Sequence, residues 1–104
     1  MTTPRQRRSV TYRLEWRGIL CRVKHSIAYF AYTDMIEVRV VSPRGAILPI
    51  TETGYRAEFR SAQEIAHAGG AVALILAMIE AEAATKRWRK TEIERAQLDL
   101  FDPK

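Results

Sequence analysis

Hydrophobic and polar residues alternate over most of the N-terminal half of the chain. The alternation is regular over residues 10–17, residues 19–24 and residues 35–41. A period of two is typical of strands that bury one face against a core. Arg17-Gly18 interrupts the first two segments tightly, which predicts a hairpin between them.

Two shorter segments extend this pattern less regularly. Residues 46–50 follow a turn sequence and contain Pro49, which would place a short strand at the edge of a sheet. Residues 55–59 would add another short strand. Residues 25–34 are rich in aromatics without a clean period, and they are predicted to form a loop or irregular turn. The pattern therefore predicts an antiparallel sheet of three to five strands.

After Phe59 the hydrophobic period changes to that of a helix. Ser61 and Glu64 have the spacing of a capping box, which predicts a short helix ending near Ala68. Gly69-Gly70 interrupts it. A long apolar helix is then predicted over residues 71–86, because its apolar side chains recur along one stripe.

The architecture predicted by these elements is α+β, with the sheet packed against the long apolar C-terminal helix. Residues 87–96 are expected to continue as a charged, solvated helical stretch. We expect three parts: a flexible basic arm over residues 1–9, a single α+β domain over residues 10–96, and a short extended tail over residues 97–104.

Composition agrees with one small globular domain. The chain has 104 residues, of which 47% are hydrophobic. A lone cysteine, Cys21, excludes an internal disulfide and is predicted to lie in the core. No signal peptide is visible, and the longest apolar run, residues 71–79, is too short to span a bilayer. A cytoplasmic location without membrane contact is the expectation.

The residue types that carry catalysis are sparse. The two histidines, His25 and His67, have no acidic residue at metal-ligand spacing. Glu52 and Glu58 flank Gly54, and solvated loop charges are their favoured interpretation over acid–base chemistry. No nucleophile, base and orienting group form a set, so the sequence predicts no enzyme, no metal and no cofactor.

Positive charge is concentrated in the first part of the chain. The net charge is +5, and residues 1–60 carry 11 Lys or Arg against 5 Asp or Glu. Nucleic-acid contact is one hypothesis for this charge. Two basic segments would provide it: Arg5, Arg7 and Arg8 in the arm, and Lys86, Arg87, Trp88, Arg89 and Lys90 near the end. The favoured alternative for the second is an exposed helix end, with Trp88 folded onto the core and cations near a helix C-terminus.

The tail contains three large apolar residues among polar neighbours. Its sequence is Gln97, Leu98, Asp99, Leu100 and Phe101. Each side chain of this size that stays in solvent loses the roughly 1.5–3 kcal/mol of free energy that its burial would contribute. The tail is therefore expected either to fold back onto the domain or to fill a pocket on another protein.

This pentapeptide resembles, at all five positions, the peptides that dock proteins on the bacterial DNA sliding clamp. The resemblance implies that Leu100 and Phe101 would enter a hydrophobic cleft on the clamp. Gln97 would occupy a second subsite, with Leu98 and Asp99 as linking contacts. The implied partner is the sliding clamp, at sites of replication or repair.

A second resemblance covers most of the chain. The segment LPITETGYR, residues 48–56, is similar to one in small proteobacterial proteins of plasmids and integrative elements. Those proteins also resemble this chain in the EWRGI segment of residues 15–19, in the Gly-Gly pair and in the QLxLF ending. The resemblance implies a bacterial mobile-element protein, without a settled activity to transfer.

Three hypotheses about function follow, in order of preference. The first is a non-enzymatic module that docks on the sliding clamp. The second is a small regulator or inhibitor, such as an antiactivator or anti-defence protein, that binds a second protein partner through its sheet or helix surface. In that case the tail is a structural latch. The third is a DNA-binding accessory protein that uses the two basic segments.

Overall fold

The structure is a computed structural model that describes residues 8–101, with side chains described as far as Leu98. Four strands come first: β1 (Arg8–Trp16), β2 (Ile19–Phe30), β3 (Thr33–Ser42) and β4 (Tyr55–Ser61). Three helices follow: α1 (Ala62–Ala68), α2 (Ala71–Ala83) and α3 (Lys86–Phe101). The α+β class predicted from the sequence is confirmed.

The strands form one antiparallel sheet in the order β1-β2-β3-β4, within the three to five strands predicted. The predicted hairpin joins β1 to β2, where Arg17 and Gly18 both have positive φ. Leu14 pairs with Cys21, and Cys21 pairs with Val40. This register aligns the apolar alternate residues of neighbouring strands on one face of the sheet.

The core lies between that face and the helices. Strand residues Cys21, Val23, Ile36 and Val38 are fully or almost fully buried, and Ile75 and Ile79 of α2 belong to the same cluster. The expected core position of Cys21 is confirmed, and burial raises the pKa of its thiol. A buried, protonated thiol is a poor nucleophile.

Residues 25–34 are not the loop that the sequence predicted. β2 runs on to Phe30 and β3 begins at Thr33, with a register shift between Ser26 and Phe30. Within that irregularity Ala28 has φ 53°, and its N–H donates to Oδ1 of the buried Asp34 at 2.8 Å. Residues 27–29 of β2 therefore lie opposite Asp34 alone, and the extra residues interrupt the alternation on which the sequence prediction relied.

The segment between β3 and β4 is a folded loop rather than a further strand. Residues 46–50 contain only an isolated bridge from Leu48 to Thr51, and Leu48 is buried in the core. The Thr51 hydroxyl donates to the carbonyl of Tyr55 at 2.8 Å, and Gly54 has φ 84°. Threonine hydrogen bonds and a glycine in the left-handed region therefore shape the LPITETGYR segment.

The helices differ from the prediction in one respect. The capping box is present, since Ser61 Oγ accepts from the N–H of Glu64 and Glu64 Oε1 accepts from the N–H of Ser61. The single long apolar helix predicted for residues 71–86 is wrong, because α2 ends at Ala83 and a separate charged helix begins at Lys86. Thr85 causes the break: its hydroxyl accepts from the N–H of Trp88 and so starts a new helix.

No single helix within residues 8–101 is long and apolar enough to cross a bilayer. α1 and α2 would reach the required length and composition only together, and they are bent by 71° at the break between them.

Candidate functional site

The clamp-like peptide occupies the last residues of α3. The backbone of residues 97–101 is helical, so the extended conformation expected for this part of the tail is not what the structure shows. The side chains of Gln97 and Leu98 are exposed, and Leu98 is 65% accessible to solvent. The side chains of Asp99, Leu100 and Phe101, and residues 102–104, lie outside the described part of the chain.

α3 is attached to the domain mainly by its first turns. Trp88 is only 8% exposed, and its ring lies 6.2 Å from that of Trp16. Farther along, Arg95 donates to the carbonyl of Gly45 at 3.3 Å, and Glu92 lies 3.7 Å from Arg17. No described side chain of α3 after Trp88 is buried. α3 is therefore held to the domain at Trp88, while its described side chains at Gln97 and Leu98 are exposed to solvent.

A groove of about 450 Å³ lies between α3 and the turn at residues 43–47. Ile19 and Trp88 form part of its floor, and Glu92, Arg95 and Ala96 line the α3 side. Among its described lining residues, Ala96 is the one next to the clamp-like peptide in sequence. Its lining is part apolar and part charged, and no described group in it forms a catalytic set.

The basic segment at residues 86–90 lies at the beginning of α3. The predicted packing of Trp88 on the core is confirmed, but the expectation of a helix C-terminus was wrong. These cations lie at an N-terminus, where the helix dipole does not favour them. Arg87 is held by hydrogen bonds to Glu82, which lower the pKa of that carboxyl, while Lys86, Arg89 and Lys90 are exposed.

Burial of Trp88 excludes base stacking on this ring. The indole packs inside the core cluster, and a nucleobase would need its open face. Trp88 therefore serves to attach α3, and contact of this segment with nucleic acid stays a prediction that rests on the exposed Lys86, Arg89 and Lys90. Of the other basic segment, Arg5 and Arg7 lie outside the described residues. Arg8 is exposed and begins β1 opposite Ile27.

His25 has an acidic partner that the sequence did not indicate. Its Nε2 lies 2.8 Å from Oδ2 of Asp34, nine positions along the chain, and Asp34 is buried. The hairpin between β2 and β3 brings the two side chains together, so their spacing along the chain does not indicate the contact. His67 is exposed on α1. Among the described residues no three His, Cys, Asp or Glu side chains are close enough to hold a metal ion.

Glu58 belongs to a charged cluster on the helix-facing side of β4, and Glu52 lies on the exposed loop. Arg56 and Arg60 each donate to a different oxygen of Glu58 at 2.8 Å. Burial disfavours the charged carboxylate, but the hydrogen bonds from Arg60 and Arg56 outweigh it and hold the pKa of Glu58 below its ordinary value. The interpretation as a solvated loop charge therefore fits Glu52 but is wrong for Glu58, which lies on β4 and is held in an ion-pair network with a structural role.

The face of the sheet away from the helices carries a charged surface that sequence reasoning missed. Arg13 pairs with Arg22, and Arg22 pairs with Arg39, so three guanidinium side chains lie in one row across β1, β2 and β3. All three are exposed. Each is one polar position in its own alternation, and only the register brings them together. Aligning the apolar positions of β1, β2 and β3 in the sequence would have predicted this register and, with it, the row of arginines.

Comparison with known proteins finds one family. Residues 9–88 match the model of a family described as the KlcB third domain. The family is plasmid-associated. The matched segment includes β2, β3, β4, α1 and α2 and ends at Trp88, the residue that attaches α3 to the core. No curated protein and no solved structure matches this chain.

Proposed function

The chain belongs to the KlcB third-domain family, and from this premise we propose that it is a non-enzymatic module of a mobile element that docks on the bacterial DNA sliding clamp. The observation that carries the proposal is the complete resemblance of residues 97–101 to clamp-docking peptides. Docking would bring the folded domain to sites of replication or repair. A mobile element gains from such a position whether it recruits the machinery or obstructs it.

The position of the peptide supports this function. Gln97 and Leu98 are exposed at the end of α3, far from the Trp88 anchor, so a partner has access to them. The peptide would bind in an extended form, with Leu100 and Phe101 as anchors and Asp99 between them. The last turn of a helix lacks partners for its final carbonyls and opens at little cost. Unwinding this turn on binding therefore requires no change in the core.

Binding to a purified bacterial clamp tests the proposal. We expect a dissociation constant on the order of 10 µM, typical of a short peptide with two apolar anchors. Leu100→Ala and Phe101→Ala should each weaken binding at least about tenfold, since anchor residues carry most of the binding energy. Titration by calorimetry or surface plasmon resonance measures both.

Ile93→Ala is the matched control. Ile93 is 59% exposed on the same helix and lies outside the peptide, so its truncation removes a comparable apolar surface without touching the motif. It should bind the clamp like the original protein. Absence of binding at about 100 µM, or an equal loss in the Ile93 and Phe101 variants, would refute docking through this peptide.

The second candidate function is a regulator or inhibitor that binds a protein partner through the sheet or helix surface, with the tail as a latch. A latch requires the tail to be packed on the domain. Leu98 is 65% exposed, which favours docking over a latch. The third candidate, DNA binding by the two basic segments, loses the stacking contribution of Trp88 and retains only the exposed cations Lys86, Arg89 and Lys90.

A further inference from the structure

The row of arginines on the open face of the sheet is unfavourable for the fold alone. Like charges directly opposite each other on neighbouring strands destabilise a sheet, and Arg22 has such a neighbour on both sides, Arg13 and Arg39. Strands lie about 4.8 Å apart, so the three side chains start within roughly 10 Å. Lys24, exposed in the adjacent row, adds a fourth cation.

No carboxylate of the described residues forms an ion pair with these four cations. Glu37 lies opposite Lys24, but its Oε2 accepts a hydrogen bond from the Tyr55 hydroxyl at 2.6 Å. Glu15 lies opposite Leu20 on the same face. The helix-facing side of β4 shows the contrast, because there Arg56 and Arg60 share one carboxylate. The hydrogen bond from Tyr55 leaves Glu37 negatively charged, but among the described residues the four cations outnumber Glu15 and Glu37. The open face therefore keeps a net positive charge, which attracts an anionic partner.

Exposed aromatic rings continue the same face. Phe59 of β4 lies opposite Met35 and is 50% exposed, and the Phe30 ring, 58% exposed, lies 6.4 Å from it. Tyr29 makes an edge contact with Phe59 at 5.8 Å. Along β3, Met35 opposite Phe59 lies four positions from Arg39, so the Phe59 ring and the arginine row are roughly 13 Å apart along the strand. At the end of the arginine row, the Arg39 guanidinium lies over the Tyr55 ring.

We propose that this open face, defined by Arg13, Arg22, Arg39 and Phe59, binds single-stranded nucleic acid. The arginines would contact successive phosphates, and Phe59 with Phe30 would offer a stacking platform for bases. Charge complementarity selects a polyanion, and exposed rings on an open sheet face select a strand whose bases are free to stack. A duplex hides its base faces, so it would use the cations alone.

The surface is distinct from the clamp-like peptide. The arginine row lies on β1, β2 and β3, whereas residues 97–101 end α3, and α3 packs through Trp88 on the opposite side of the sheet. A strand on the open face and a clamp on α3 would not compete for the same residues. Binding of nucleic acid to the sheet face therefore does not depend on binding of the clamp to α3.

Fluorescence anisotropy with a labelled 20-nucleotide oligothymidylate tests the proposal on the full chain. We expect binding at 50 mM salt that weakens with added salt, with a slope of log K against log salt of about −2, as three phosphate contacts on a single strand require. The triple variant Arg13→Gln, Arg22→Gln, Arg39→Gln should bind at least about tenfold more weakly. Phe59→Ala should bind about fivefold more weakly, from the loss of one stacked base. The RNA oligonucleotide of the same length should bind through the same residues.

The control variant Lys86→Gln, Arg89→Gln, Lys90→Gln removes the same charge from α3. It should retain most of the affinity, which separates the sheet face from general attraction and from the basic segment of α3. Circular dichroism and clamp binding should be unchanged in the sheet variants, so failure here and failure of clamp docking are distinguishable. No binding at 50 mM salt, equal losses in the two triple variants, binding to duplex or polyglutamate as tight as to the single strand, or no effect of Phe59→Ala would each overturn the proposal.

Discussion

Two buried tryptophans meet in the core with different polar surroundings. The Nε1 of Trp16 donates to Glu80 at 2.9 Å, and the Arg17 guanidinium lies over the Trp16 ring. The Nε1 of Trp88 is buried and has no hydrogen-bond partner among the described residues. The two side chains therefore contribute similar apolar contact but unequal polar contact.

Replacement by phenylalanine separates these contributions. Trp16→Phe and Trp88→Phe remove the same atoms, but only the first breaks a hydrogen bond and weakens a cation–π contact. We expect Trp16→Phe to lower the free energy of unfolding by about 1 kcal/mol more than Trp88→Phe, measured by urea denaturation. Equal losses, or a larger loss for Trp88→Phe, would contradict this account.

Glu58 links the stability of the domain to pH. Its carboxylate receives hydrogen bonds from Arg56 and Arg60, and the pKa of Glu58 is lowered in the folded state. A lowered folded-state pKa contributes stability above the unfolded-state pKa, about 4.3 for glutamate. That stability is lost as the pH falls through the folded-state value.

Glu58→Gln should therefore lower the free energy of unfolding by roughly 1–2 kcal/mol at pH 7. The difference from the original protein should shrink as the pH falls below about 4. Glu52→Gln is the control, since Glu52 is exposed and forms no ion pair in the described structure. A constant difference between pH 7 and pH 3 in urea denaturation would show that the Glu58 charge is not responsible.

At the scale of elements, local sequence determines where the helices begin. Ser61 caps the beginning of α1 through the capping box. Thr85 caps the beginning of α3, where its hydroxyl accepts a hydrogen bond from the N–H of Trp88. The first was predicted because serine and glutamate have the diagnostic spacing. The second was missed, since the predicted apolar helix extended through Thr85 to residue 86 and the charged stretch was expected to follow it. The Thr85 hydroxyl caps the new helix, and Trp88 in its first turn packs against Trp16.

Removal of the first cap should destabilise the domain measurably. Ser61→Ala leaves the N–H of Glu64 without its acceptor, and we expect a loss of about 1 kcal/mol in thermal or urea unfolding. Gln63→Ala changes an exposed residue of the same turn and should be nearly neutral. If the two variants unfold alike, the capping box does not stabilise α1.

At the scale of the whole molecule, the chain separates a packed domain from a solvated helix end. The buried cluster includes residues from β1 to the first turn of α3, and the family match covers nearly the same extent. Gln97 and Leu98, the described side chains of the clamp-like peptide, lie beyond both. This separation allows stability and docking to be tested independently.

Deletion of residues 97–104 should leave the free energy of unfolding within about 0.5 kcal/mol, because Gln97 and Leu98 are exposed. Trp88→Ala, in contrast, should cost about 3–5 kcal/mol by leaving a cavity beside Trp16. Differential scanning calorimetry measures both. A fall in Tm of more than about 5 °C on deletion, which corresponds to roughly 1 kcal/mol, would mean that the tail is a latch.

The sequence by itself determined the α+β class, the β1–β2 hairpin, the capping box and the core position of Cys21. Each depends on periodicity or on the chemistry of adjacent residues, which act over a few positions. It could not determine the hairpin of β2 and β3 across residues 25–34, where a bulge held by Asp34 hides the alternation. The helix break at Thr85 was likewise not indicated by the periodicity of the sequence.

Of the candidate sites, the sequence contained the clamp-like peptide in full, because such a peptide is continuous. The row of Arg13, Arg22 and Arg39 and the Glu58 cluster were decided by the tertiary structure. Their members come from different strands, or from positions whose partners are set by which face is buried. Register places Arg22 about 5 Å from Arg13 on one side and from Arg39 on the other, and no interaction between neighbouring residues along the chain encodes that distance.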